Sequence, residues 1–320
     1  MHIKLKDYFG GKMNTETTQK VVYKQIGKYS VSNELFLDLI FTEKCQCNCK
    51  FCIAKTPEYA EENFERWKKN LYKTFEVFDV RNIVILGGES TIDKRFFEKL
   101  DILKDVIKDK NVSNVILTTN GIVLRNKTFL TKVINSCINT INISYMNYDK
   151  KINDSIFQVN TLSKKELKEI YKTLCENDMT MRLNVNVYKN NLDTVEEMQN
   201  YVKNMAGLCN EIKFSPLMPT DMFNTISEVI EYTNKVSLSK EEITQLYDNF
   251  SKTCKVVSEN NNVFGLVNYK EVNIYEQSVI LKYAQVEDTY DLNTVIPTLK
   301  LYPNGNLSNE WNYLKHIDLI

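Results

Sequence analysis

Residues 35–41, Leu35-Phe36-Leu37-Asp38-Leu39-Ile40-Phe41, form a near-continuous apolar run. Four cysteines follow at once in Cys45-Gln46-Cys47-Asn48-Cys49-Lys50-Phe51-Cys52. A run of this kind suits a strand buried on both faces, as in a parallel sheet. Downstream, Phe64, Trp67, Leu71, Phe75 and Phe78 recur every three or four residues and predict a helix after Pro57. Ile83–Leu86 reads as the second strand and ends in Gly87-Gly88-Glu89. The pattern then repeats: a helix from about Asp93, a third strand from Val115 to Thr118 ending at Asn120-Gly121, and a helix over roughly Thr128–Cys137. Ile141–Tyr145 is the fourth strand, and Ser163–Asn177 a helix whose Ser163 and Glu166 form a capping box. Met181–Val187, a helix over Leu192–Met205, and Glu211–Leu217 complete six strand–helix steps, with a last helix expected around Ser239–Glu259.

Alternating strands and helices predict an α/β fold with a parallel sheet and helices outside it. Six steps are too few for a closed eight-strand barrel, so the expected fold is a partial (β/α)6 TIM-like barrel. Beyond it, Val263–Val267, Val272–Tyr275, Val279–Val286 and Val295–Leu301 are β-like, and Pro303-Asn304-Gly305 reads as a hairpin turn. These form a small β-rich C-terminal extension. The expected division is 1–33 as an N-terminal extension, 34–220 as the barrel, and 221–320 as a helix plus the β-rich extension.

The strand faces are unusual. Met181, Leu183, Val185 and Val187 alternate with Arg182, Asn184 and Asn186; Ile141, Ile143 and Tyr145 alternate with Asn142 and Ser144; Ile212 and Phe214 alternate with Lys213 and Ser215. With the apolar faces against the helices, the polar faces point into the barrel, where an ordinary core carries branched aliphatics. Buried polar groups require partners, and a polar ligand or water inside the barrel supplies them. The alternative is an open sheet with one solvated face.

Composition narrows the function classes. The 320 residues carry 41 basic and 41 acidic side chains, a balance that argues against bulk nucleic-acid binding but not against a small basic pocket. The two histidines, His2 and His316, lie near the ends, which disfavours Ser-His-Asp, Cys-His and multi-histidine zinc chemistry. The stretch Met1–Gly11 is charged, without an apolar targeting core, and no apolar run approaches a membrane span. The expectation is a cytoplasmic protein with reduced thiols and no membrane partner.

Cys45, Cys49 and Cys52 in one loop can ligate three corners of a cubane cluster and leave the fourth iron open, the arrangement of a catalytic rather than a structural centre. A zinc site using Cys47 as well is the alternative, though four ligands in eight residues make a cramped tetrahedron. Phe51 is placed to shield the cluster from water.

The spacing Cys45-x3-Cys49-x-aromatic-Cys52 after a first strand resembles the signature of the radical S-adenosylmethionine (radical SAM) superfamily. Gly87-Gly88-Glu89 is similar to that family's GGE motif, with Ser90 where proline is usual, and Thr118-Thr119-Asn120-Gly121 to its TNG segment. The resemblance covers roughly Glu34–Leu217. It implies one [4Fe-4S] cluster on Cys45, Cys49 and Cys52, and SAM held by Gly87, Gly88, Glu89, Thr119, Asn120, Asn142, Ser144, Arg182 and Asn184. The glycines are expected to let the backbone approach SAM. Arg182 as a structural ion-pair partner is the competing view of that residue, and Cys47 is expected to be a bystander. The implied chemistry is reductive cleavage of SAM to a 5′-deoxyadenosyl radical, which takes hydrogen from a peptide or small-metabolite substrate. An electron donor such as flavodoxin or ferredoxin is implied, and no catalytic side chain is assigned. Only Cys254 lies beyond residue 209, which argues against a second cluster there and against a molybdenum-cofactor cyclase with its further cysteine trio. The remaining alternatives are a nucleotide-modifying member of the family, with Lys213 as a phosphate candidate, and a non-catalytic zinc- or cluster-binding interaction protein.

Overall fold

The computed structural model describes residues 23–26, 29–221, 223–261, 268–283, 295–314 and 317. In chain order the elements are β1 (Tyr23–Ile26), β2 (Tyr29–Ile40), α1 (Phe64–Val77), β3 (Val80–Leu86), α2 (Phe96–Val106), β4 (Asn114–Thr119), α3 (Lys127–Ile134), β5 (Thr140–Ser144), α4 (Lys150–Phe157), α5 (Lys164–Cys175) and β6 (Thr180–Val187). They continue with α6 (Val195–Met205), β7 (Glu211–Pro216), α7 (Ser227–Val236), α8 (Lys240–Ser251), β8 (Lys255–Asn261), β9 (Asn268–Ile274), β10 (Gln277–Lys282), β11 (Val295–Leu301) and β12 (Leu307–Ser308).

One sheet runs β12-β11-β2-β3-β4-β5-β6-β7-β10-β9-β8, with β1 paired antiparallel to β2. From β2 to β7 every neighbour is parallel, giving the six strands of the expected partial barrel. The C-terminal extension does not stand apart from it. β10 pairs parallel with β7 and β11 parallel with β2, so the extension lengthens the sheet at both edges. β8, β9 and β10 then form an antiparallel meander, and β11 turns back into β12 through Gly305 at φ 83°. The β-like segment Val263–Val267 and the end of Val279–Val286 lie outside the described residues.

Local rules account for most elements. Trp67, Leu71, Thr74 and Phe75 bury one face of α1, which Asn63 caps by accepting from the Arg66 amide. The Ser163–Glu166 capping box starts α5 as expected. Two helices were not anticipated. One of them, α4, buries Asn153 beside Phe157, so its inward face lacks the apolar period that marks a helix. The helix expected over Ser239–Glu259 stops at Ser251 and gives way to β8. The main core lies between the sheet and the helices, and Met181, Leu183, Val185, Val187, Ile212 and Phe214 are all fully buried in it.

The opposite face forms the lumen. Register pairs Thr118 with Asn142, Asn142 with Arg182, Ser144 with Asn184, and Asn184 with Lys213. Paired residues in a parallel sheet share a face, so these polar side chains line a single wall. At the other edge Asp38 pairs with Lys300 in register, their charged groups 3.9 Å apart.

Candidate functional site

The cysteine loop leaves the C-terminal end of β2 and is fastened at three places. Beside β3, the Gly88 amide donates to Thr42 O and the Glu89 amide to Lys44 O, both at 2.8 Å. A Cβ on Gly87 would collide with Thr42 O, and one on Gly88 with the carbonyls of Glu43 and Lys44. The glycines therefore make room for the cysteine loop itself, a reason additional to the ligand approach expected of them. At the end of α4, the Asn48 amide donates to Phe157 O, Asn48 Nδ2 donates to Gln158 Oε1, and Gln158 Nε2 donates to Asn48 O. Past Cys52, Lys55 O accepts from the Ile226 amide and from Thr225 Oγ1.

A second apolar cluster surrounds the thiols. Cys49, Phe51, Met146, Phe157, Tyr188, Leu217 and Val236 are buried together, with Cys47 and Cys52 packed against them. Phe51 stacks obliquely on Tyr188, ring centroids 5.7 Å apart, and covers the loop as expected. Burial pushes the Cys49 thiol up to about 12 and raises Cys52, whereas a hydrogen bond from the Cys47 thiol draws Cys45 down to about 7. Cys47 is half-buried beside Asn120, whose Nδ2 donates to its sulfur at 3.4 Å. Among the described residues no three His, Cys, Asp or Glu side chains converge on the position of a single metal ion.

Glu89 is the hub behind the loop. Its carboxylate is buried and accepts from the Thr91 amide, Thr91 Oγ1, Thr119 Oγ1 and the Asn120 amide. Burial raises its pKa and these donors oppose the rise. Asn120 Oδ1 accepts from Gln46 Nε2, so the end of β4 touches the cysteine loop directly. Thr119, Asn120, Gly87, Gly88 and Glu89 are in this way drawn together around Cys45 and Cys47.

Asn142, Ser144 and Asn184 lie further along the lumen. Asn142 Nδ2 donates to Thr118 Oγ1, but Asn142 Oδ1 and Asn184 Oδ1 are buried without a hydrogen-bond partner among the described residues. Arg182 is drawn into a buried ion pair with Glu211, its Nε 2.8 Å from Glu211 Oε2. That is the structural role weighed for it. A network missing from the sequence reading supports the same end of the barrel: Asn153 Oδ1 accepts from the Met146 and Asn147 amides, and Asn191 bridges Asn147, Met146 and Asn186. Asparagines carry no helical or strand period, so only their spatial convergence exposes them.

The fold and the site define an open α/β barrel with a polar lumen and a cysteine loop closing one end. Residues 39–202 match the family model described as the radical SAM superfamily, and the chain belongs to that superfamily. Among curated relatives, a probable GTP 3′,8-cyclase of Methanocaldococcus jannaschii is 24% identical over 57% of this chain and 59% of its own length. A GTP 3′,8-cyclase of Clostridium perfringens is 24% identical over 62% of each chain. The chain thus spans about three fifths of these relatives, 59% and 62% of their lengths. Among solved structures, Streptococcus suis SuiB bound to S-adenosylmethionine superposes with a TM-score of 0.60 at 14% identity, over 87% of this chain and 61% of that one. SuiB bound to its precursor peptide SuiA gives 0.53 at 15% identity, over 86% and 59%. At such identities the likeness is one of fold.

The family implies S-adenosylmethionine and an iron–sulfur cluster, and the residues present fit both. Cys45, Cys49 and Cys52 sit on one anchored loop, with Cys49 and Cys52 under an apolar cover. The lumen beside them presents two buried carbonyl oxygens that lack donors among the described residues, the requirement a polar ligand meets.

Proposed function

We propose that the chain is a radical SAM enzyme. In this reading Cys45, Cys49 and Cys52 hold one [4Fe-4S] cluster, and Gly87, Gly88, Glu89, Thr119, Asn120, Asn142, Ser144 and Asn184 form the surface that receives SAM. When bound, the reduced cluster and SAM together supply a 5′-deoxyadenosyl radical that takes hydrogen from a peptide or small-metabolite substrate. The protein's own residues anchor, orient and exclude water. Glu89 holds the GGE and TNG segments in register, and Phe51 with Tyr188 keeps solvent from the thiols. The observation that carries the reading is the pair of unsatisfied carbonyl oxygens on Asn142 and Asn184, in a lumen whose mouth the cysteine loop occupies.

Residues 34–220 would form the catalytic barrel. A cytoplasmic setting, where thiols stay reduced, and a flavodoxin or ferredoxin reductant belong to the same proposal. A nucleotide substrate is the second reading, favoured by the relatives named as GTP 3′,8-cyclases. The test is anaerobic reconstitution followed by dithionite and SAM. Release of 5′-deoxyadenosine is expected. A fully loaded cluster that releases none would overturn the enzyme reading in favour of a binding role.

A further inference from the structure

Among the described residues the buried cations are neutralised locally. Lys99 lies 2.6 Å from Asp93 and 3.1 Å from Glu62, Lys300 lies 3.9 Å from Asp38, and Arg182 pairs with Glu211. Lys213 and Lys282, both half-buried, differ. Lys213 is in the middle of β7, opposite Ile280 of β10 in the parallel register. Lys282 is two residues further along β10, so both side chains leave the sheet on one face. That is the lumen face, because Lys213 is also the register partner of Asn184. Among the described residues neither ammonium has a carboxylate within ion-pair distance or any hydrogen bond; Lys213 only lies over the Tyr269 ring, 5.4 Å from its centroid. Tyr269 is itself the register partner of Lys282.

The neighbouring carboxylates are committed elsewhere. Glu211 serves Arg182, and Glu271 accepts from Ser258 Oγ and Ser278 Oγ. Burial depresses both lysines below the ordinary range, and Lys282 adds repulsion at Lys213. Two neighbouring ammonium groups on one desolvated face give up their charge unless an anion lies between them.

We infer that Lys213 and Lys282 form an anion-binding subsite in the barrel lumen, which receives a carboxylate or phosphate group of the substrate against the Tyr269 ring. The inference rests on the proposed reading of the lumen as the substrate chamber and adds a substrate class to it: the substrate is anionic. It also gives the C-terminal extension a task. Two walls of the subsite, Tyr269 and Lys282, come from β9 and β10, so the extension completes a chamber that β2–β7 leave open.

The experiment titrates the reconstituted full chain at constant ionic strength with inorganic phosphate, and separately with N-acetylglycine against N-acetylglycinamide, followed by calorimetry. One saturable anion is expected, phosphate identifying a phosphorylated substrate and N-acetylglycine a carboxylate one, with the amide inactive. Lys213→Met and Lys282→Met should each weaken that anion by at least about tenfold, as expected for loss of one charged partner. Each should also raise the unfolding temperature of the anion-free protein, which a structural lysine would not do. No saturable anion, equal binding to the variants, a Lys213→Met chain that fails to fold, or one-for-one competition between the anion and SAM would each overturn the inference. Cluster loading is read separately from iron content and visible absorption. An unloadable chain would defeat the radical SAM reading while leaving the anion titration interpretable.

Discussion

The carboxylate of Glu89, at the end of β3, accepts the backbone amide of Asn120, at the end of β4, at 2.7 Å, while Thr119 Oγ1 donates to its other oxygen at the same distance. One buried acid thereby ties two strand ends, and the Asn120 side chain continues the chain of contacts to Gln46 and Cys47. The GGE and TNG segments are one mechanical unit supporting the cysteine loop. Glu89→Gln keeps the shape but turns an acceptor into an amide that presents hydrogens to donors. The expected loss is about 1.5–3 kcal/mol, the scale of hydrogen bonds to a charged group, read as a lower urea midpoint with unchanged slope. An unshifted midpoint would remove Glu89 from its role as hub.

The thiols divide by role. Cys52→Ala should abolish cluster loading, because only Cys45, Cys49 and Cys52 keep the three-ligand spacing. Cys47→Ala should retain it while losing the Asn120 contact and the thiol hydrogen bond to Cys45. Iron content and visible absorption after anaerobic reconstitution decide the matter, and a colourless Cys47→Ala protein would reassign the ligands.

Asn184 offers a test of opposite signs. Its Oδ1 is buried without a partner among the described residues, a state that costs about 1–3 kcal/mol. Asn184→Leu, close in shape, should stabilise the ligand-free protein by about 1 kcal/mol and weaken SAM binding by about tenfold or more. Thermal unfolding and calorimetric titration with SAM report the two effects. A destabilised variant would mean that the amide already has its partner.

At the far edge of the lumen, burial lifts the Asp38 carboxyl from 3.8 to about 6, against the opposing pull of Lys300. A folded-state pKa above the unfolded one favours folding at low pH. That contribution is complete below pH 4 and is lost as pH rises from about 4 to about 6. Relative to Asp38→Asn, the wild type should therefore lose about 3 kcal/mol across this interval, at 1.36 kcal/mol per pKa unit, and nothing further above it. Urea denaturation of both proteins at pH 4, 5, 6 and 7 measures the difference. A constant difference would show that Asp38 titrates normally.

The order of strands and helices, the polar inward faces of β5, β6 and β7, and the cysteine spacing were all legible in the chain. Each is a local pattern: period two in a strand, three to four in a helix, and fixed offsets between thiols. Three features escaped. The helix α4 hides behind the buried, polar Asn153. The partner of Arg182 is Glu211, 29 residues away and adjacent only through the parallel register of β6 and β7. The glycines of the GGE segment turn out to accommodate carbonyls of the loop more than forty positions earlier.

Side-chain chemistry and its periodicity, which neighbours along the chain impose through sterics and burial, by themselves determined the barrel class, its polar lumen and the thiol loop. Only the tertiary structure decided where the C-terminal strands go. Because β10 adds to β7 and β11 to β2, strands from the C-terminal part extend both edges of the sheet. Sheet edges pair through generic backbone hydrogen bonds, which no residue pattern specifies in advance. The Lys213–Lys282 pair is therefore invisible until the strands are set side by side.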